Sequence, residues 1–199
     1  MARRWLPRPV MSPSMAAGVV RLALVSAAPT PALRAARFPV DEDLDADGLR
    51  RAAAAAATLA GALPARARVL TDGSARARQT VRALGLHPTA ADTGTDAETQ
   101  AGGDTADAGV EAALRDLDAG AWRGRGLDEI PLDELRQWHE DPAMAPPGGE
   151  SRADLLDRVG GWLTRLGGRP GGIIAVTHPA VVRAVLLLVL RCPPEVFWR

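Results

Sequence analysis

Val19-Val20-Arg21-Leu22-Ala23-Leu24-Val25-Ser26-Ala27-Ala28 is an aliphatic run that gives way to small and polar residues. It predicts a buried strand over residues 19–25 that opens into a loop, because aliphatic and β-branched side chains fit a pleated, covered surface. A matching run, Ile173-Ile174-Ala175-Val176, follows Gly171-Gly172 and leads into Thr177-His178-Pro179 and an apolar helix over about 180–190. Pro179 suits the first helical position, where a missing N–H costs nothing. A strand feeding a helix at both ends of the chain points to an α/β architecture.

The stretch between these runs fills in the same alternation. Asp45 caps a predicted helix over 46–62, with Leu44 and Leu49 spaced as a hydrophobic staple and Gly61 and Pro64 as stop signals. A short strand is predicted at 68–70, then a helix from Ser74 to about Leu84. A further helix is predicted over 127–139. Ser151 and Asp154 are spaced as a capping box, and Leu155, Leu156, Val159, Trp162, Leu163 and Leu166 repeat at helical spacing behind them. The order β-α-β-α-…-α-β-α predicts a three-layer α/β/α sandwich with a mostly parallel central sheet. Residues 89–109 hold small, acidic and polar side chains without periodicity and read as a flexible insertion. Residues 1–16 read as a disordered tail, leaving a single domain over 17–199.

Composition narrows the function classes. The 199 residues carry 24 basic and 24 acidic side chains, a balance that argues against nucleic-acid or membrane-surface binding. The longest apolar run, 184–190, is too short to span a bilayer, and no signal peptide is expected, so the reading is a cytoplasmic protein. A single cysteine, Cys192, rules out an internal disulfide and any cysteine-based metal cluster. No metal or organic cofactor is implied.

Three predicted strand ends carry the polar residues. In open parallel sheets, ligands bind beyond the carboxyl ends of the strands. The first end holds Ser26 and Ala27, the second Ser74 and Arg76, and the third Thr177 and His178. The last two sit at helix N-termini, where free N–H groups favour anions, and Arg76 adds a planar fork suited to phosphate. Each has a plainer reading: a capping histidine for His178, and a structural ion pair for Arg76. His87 and His139 read as surface residues, and Trp122, Trp138 and Trp162 as packing residues.

Five segments, in order, resemble the histidine phosphatase superfamily, the phosphoglycerate-mutase-like fold. Leu44-Asp45-Ala46-Asp47-Gly48 resembles its Leu-Thr-x-x-Gly helix start, and Arg76-Ala77-Arg78-Gln79-Thr80 its phosphate-binding Arg-Ala-Arg-Gln-Thr core. Leu114 to Gly124 resembles Leu-x-Glu-x-x-x-Gly-x-Trp-Glu-Gly, which places the family's proton donor on Asp116. Gly148-Gly149-Glu150-Ser151 matches Gly-Gly-Glu-Ser, and Ile174 to His178 resembles the strand ending in the second histidine. Arg37-Phe38 aligns with a frequent Arg-Phe pair of the first loop, where Arg37 either approaches ligand or anchors the loop.

The resemblance also marks the departures. The family's first strand ends in Arg-His-Gly, whose histidine accepts the phosphoryl group; here Ser26, Ala27 and Ala28 stand in those places. A methyl group is no nucleophile. The resemblance therefore implies a degenerate member, a pseudoenzyme, with Ala27, Asp116 and His178 as vestigial catalytic positions. Ser26, Arg76 and His178 are the expected phosphate or ligand contacts, with Arg37 a further candidate. The expected partner is a phosphorylated or anionic small molecule, or a protein. The alternative is a phosphomonoesterase using a mechanism without phosphohistidine. Restoring Ser26→Arg with Ala27→His is expected to raise phosphatase activity.

Overall fold

The computed structural model describes residues 19–64, 67–86, 109–167 and 171–198. Strand β1 (Val20–Ser26) is followed by a one-turn helix α1 (Pro31–Arg34) and helix α2 (Ala46–Ala60). Strand β2 (Ala67–Thr71), helix α3 (Ala75–Ala83) and the two-residue strand β3 (Gly109–Val110) come next. Helices α4 (Leu132–Glu140) and α5 (Arg152–Leu166) precede strand β4 (Gly171–Thr177) and helix α6 (Pro179–Leu190). The strands form one parallel sheet in the order β1-β4-β2-β3, so the apolar strand β4 lies inside it.

The pleat sorts the side chains into two cores. Ala67 and Val69 of β2 and Ile174 and Val176 of β4 face α2 and α3, packing with Ala77, Val81 and Leu59. Leu22, Leu24, Leu70 and Ala175 face the other way, onto Leu155, Val159 and Trp162 of α5 and Val181, Ala184 and Val185 of α6. The predicted α/β/α sandwich is thus the fold observed.

The caps follow the sequence. Asp45 accepts from the Gly48 N–H at 2.8 Å, and Ser151 and Asp154 bond reciprocally as a capping box. Three expectations are corrected. The predicted helix over 127–139 is broken: a 3₁₀ turn covers Leu127–Glu129 and α4 starts only at Leu132. Pro131 disfavours helical geometry at Ile130, so the chain must restart. Gly109, placed in the insertion, instead opens β3 and pairs with Leu70. Leu44 is buried with Ala28 and Ala52, while Leu49 is 42% exposed, so the expected staple is replaced by packing onto the next helical turn. The expected tail over 1–16, the insertion over 89–108 and His87 lie outside the described residues.

Candidate active site

The carboxyl ends of β2 and β4 meet in a cavity of about 440 Å³. His178, the residue between β4 and α6, is 1% exposed there. Its Nε2 lies 2.8 Å from Oδ2 of Asp72, the residue just after β2. Its Nδ1 contacts the Arg76 guanidinium, which only donates, so Nδ1 is the acceptor and Nε2 carries the proton. Arg76, in the first turn of α3 and 3% exposed, also donates to Asp116 Oδ2 at 2.5 Å. A chain Asp72–His178–Arg76–Asp116 results, built from residues that are far apart in sequence.

Each link is held from behind. Ser74 donates to Asp72 Oδ1 through its hydroxyl at 2.7 Å and its N–H at 3.1 Å. Burial opposes charge on Asp72 most strongly of all influences, but the hydrogen bonds from His178 and Ser74, with the attraction of His178, outweigh it and hold the carboxyl below its ordinary value. Asp116 is positioned through its backbone. Arg158 of α5 pairs with Glu150 at 2.7 Å and donates to the carbonyls of Ala113 at 2.7 Å and Arg115 at 3.1 Å. Thr177 Oγ1 donates to the Leu114 carbonyl at 2.7 Å from the other side.

The Arg-Ala-Arg-Gln-Thr segment reads as one device. Arg76 enters the cavity; Gln79 accepts from the Leu44 N–H at 2.6 Å and donates to Asp43 at 2.7 Å; Thr80 Oγ1 accepts from the Ala28 N–H at 3.0 Å. One helix face therefore fixes three loops around the site. The cavity's far wall needs glycine. A Cβ on Gly120, whose φ is +50°, would stand 2.3 Å from the Pro147 carbonyl oxygen, and one on Gly149 would stand 2.4 Å from that of Asp118. This close approach lets the 118–122 and 146–150 segments bond directly, through Ala121 N–H to Pro147 O and Glu150 N–H to Asp118 O.

The cavity is close to charge balance. Five carboxylates, of Asp41, Asp72, Asp116, Asp118 and Glu150, face four guanidinium groups, of Arg76, Arg115, Arg123 and Arg158. Arg123 pairs with Asp118 at 2.6 Å. Burial again opposes charge on Asp118, yet the Gly120 N–H and Arg123 keep its carboxyl below the ordinary range. Among the described residues, Arg115 is the cavity arginine with no carboxylate at ion-pair distance; its Nε donates to the Ala112 carbonyl, and its charge adds to the attraction that lowers Asp118. Asp72, Arg115 and Arg158 were not singled out in the sequence; the position of Asp72 at a strand's carboxyl end was the available signal.

Arg76, Asp116 and His178 converge on the cavity. Ser26 and Ala27 do not join them: neither lines the cavity. Ala27 is 7% exposed and packs in the core with Val69, Ala77 and Val176, its N–H bonded to the Thr177 carbonyl at 2.7 Å. Pleat parity puts Val25 and Ala27 on that face and turns the exposed Ser26 away. Arg37 also lies elsewhere. It donates to the Gly124 carbonyl at 2.8 Å and pairs with Glu129, which makes it a loop anchor rather than a ligand contact. His139 is exposed, and Trp122 and Trp162 are buried core residues. Among the described residues, no cluster of three or more His, Cys, Asp or Glu could hold a metal ion, and no helix is long and apolar enough to cross a membrane.

The parallel sheet gathers an arginine, a carboxylate and a histidine at its strand ends, an α/β arrangement. Residues 31–199 match the histidine phosphatase superfamily (branch 1), and the chain belongs to that family. Among solved structures it is similar to mycobacterial hydrolase 1, with TM-score 0.68 and 25% identity over 89% of this chain and 84% of that one. It is also similar to the mycobacterial glucosyl-3-phosphoglycerate phosphatase Rv2419c in complex with VO3, with TM-score 0.67 and 26% identity over 89% and 85%. Bifunctional protein Rv2228c of Mycobacterium tuberculosis is 34% identical over 95 residues, which is 45% of this chain. The chain spans 26% of the length of that relative.

Proposed function

We propose that this chain binds a phosphorylated or anionic small molecule on the histidine-phosphatase scaffold and does not form a phosphohistidine. One observation carries the reading: the family's nucleophile position is Ala27, buried in an apolar core outside the cavity. His178 offers no substitute, since its Nδ1 lone pair faces Arg76 and its Nε2 proton faces Asp72. Neither nitrogen presents a free lone pair to phosphorus. What remains is an anion site. Arg115 is available at once, and Arg76 becomes available when the anion displaces Asp116.

A second reading is phosphomonoester hydrolysis by direct attack of water. It is favoured by the convergence of Arg76, Asp116 and His178, with Asp116 as the proton-transfer group and Arg76 as the stabilising charge.

The test of binding is thermal unfolding of the purified chain with increasing inorganic phosphate. A site that binds only the folded state raises the midpoint with ligand concentration. The expected result is a saturable rise that is lost in Arg76→Ala; no rise in the wild-type chain overturns the reading.

A further inference from the structure

A second cavity, of about 170 Å³, adjoins the charged one. The two share Arg76, Asp116, Leu117, Pro39 and Ala119 as wall residues, so the Arg76–Asp116 pair belongs to both. Their chemistry differs. The second is lined by Leu33, Phe38, Trp138, Pro146, Ala180 and Trp198. Its rings are already arranged against one another: Phe38 meets Trp138 edge-on at 5.7 Å, and Trp138 and Trp198 are tilted at 5.0 Å. Arg183 lies over the Trp198 ring at 5.6 Å and also lines the cavity.

From this juxtaposition we infer that the ligand is an aryl phosphomonoester, with its phosphate at Arg76 and Arg115 and its ring in the Phe38–Trp138–Trp198 cleft. The inference rests on the anion-binding reading above and adds the substrate class. Two observations support it. A cavity of about 150 Å³ with apolar walls is enough to hold a benzene ring, so the cleft has the size of one aromatic group. Aromatic walls hold a flat ring by offset or edge contacts better than they hold a flexible polyol. Because Arg76 and Asp116 line both cavities, ring and phosphate must be close neighbours, as they are across a single ester oxygen.

The test is a titration of the full chain, followed by intrinsic tryptophan fluorescence and calorimetry, with phenyl phosphate, phenol, glycerol 2-phosphate and inorganic phosphate. Ring burial should make phenyl phosphate bind about tenfold or more tighter than glycerol 2-phosphate. Trp138→Ala and the cleft-filling Leu33→Trp should each bring that ratio towards one; the second variant adds bulk at a half-buried position and guards against a folding defect in the first. Equal affinity of the two esters, or phenol binding as well as its phosphate, overturns the aryl inference. Binding of inorganic phosphate and glycerol 2-phosphate without that preference leaves the anion site standing. Binding of none of the four overturns both.

Discussion

Asp72 and His178, 106 residues apart in sequence, meet at 2.8 Å through Oδ2 and Nε2 at the ends of adjacent strands. The pairing fixes which histidine nitrogen is protonated and leaves the other to accept from Arg76. It makes the site a closed relay of hydrogen bonds rather than a pair of open nucleophiles.

Asp72 should contribute to acid stability. Its folded carboxyl lies below the ordinary 3.8, so the unfolded chain binds its proton first as pH falls. The stabilisation is complete above about the ordinary value and fades as pH drops below it towards the folded value. Asp72→Ala should cost about 1–3 kcal/mol at neutral pH, as expected for leaving buried partners unpaired. Denaturant unfolding at pH 7 and pH 3 measures both; a wild-type–variant difference as large at pH 3 as at pH 7 contradicts the assignment.

Asp116 competes with any anion for Arg76. Asp116→Asn removes that charge and should tighten inorganic phosphate binding by about tenfold, one 1.4 kcal/mol step. Arg76→Ala should abolish it. Calorimetric titration of the two variants reads the effect, and weaker binding in Asp116→Asn would mean that the aspartate holds the arginine in place rather than masking it.

The fold was legible because its two long strands are aliphatic runs that end in polar turns, and its caps are short local patterns. β3 was not: two residues, Gly109 and Val110, carry no periodicity and owe their pairing to Leu70 and Thr71. The break before α4 had a signal in Pro131, which was outweighed by the helical residues around it. In the site, Arg76, Asp116 and His178 were readable from motif order. Ser26 was misplaced because proximity to a strand end does not give side-chain direction; parity does. Asp72 and the aromatic cleft were hidden because Phe38, Trp138 and Trp198 come from three distant segments.

Arg152 is fully buried, and none of its guanidinium nitrogens has a hydrogen-bond partner. Burial depresses its basicity, Asp141 and Glu195 push back, and the Trp198 ring lies 5.7 Å away. Such a charge is costly, and a well-fitting apolar side chain often does as well or better. Arg152→Met should raise the unfolding midpoint by about 2–4 °C, equivalent to roughly 1 kcal/mol. A lower midpoint in calorimetry would show that the cation–π contact outweighs desolvation.

Position 27 is a poor place to restore a nucleophile. An imidazole there must enter the packing around Val69, Ala77 and Val176. Ala27→His, alone or with Ser26→Arg, should lower stability by about 1–3 kcal/mol through overpacking and return no phosphatase activity. This revises the expectation drawn from the motif alone. A folded double variant that releases phosphate would show that the loop can turn the side chain into the cavity.

The central claim is binding without phosphohistidine chemistry, and the most direct measurement is phosphate release from a panel of alkyl and aryl phosphomonoesters, with His178→Ala as control. The account predicts that the wild-type chain releases no more phosphate than the variant. Turnover in the wild-type chain that disappears in His178→Ala would contradict it and establish a working hydrolase.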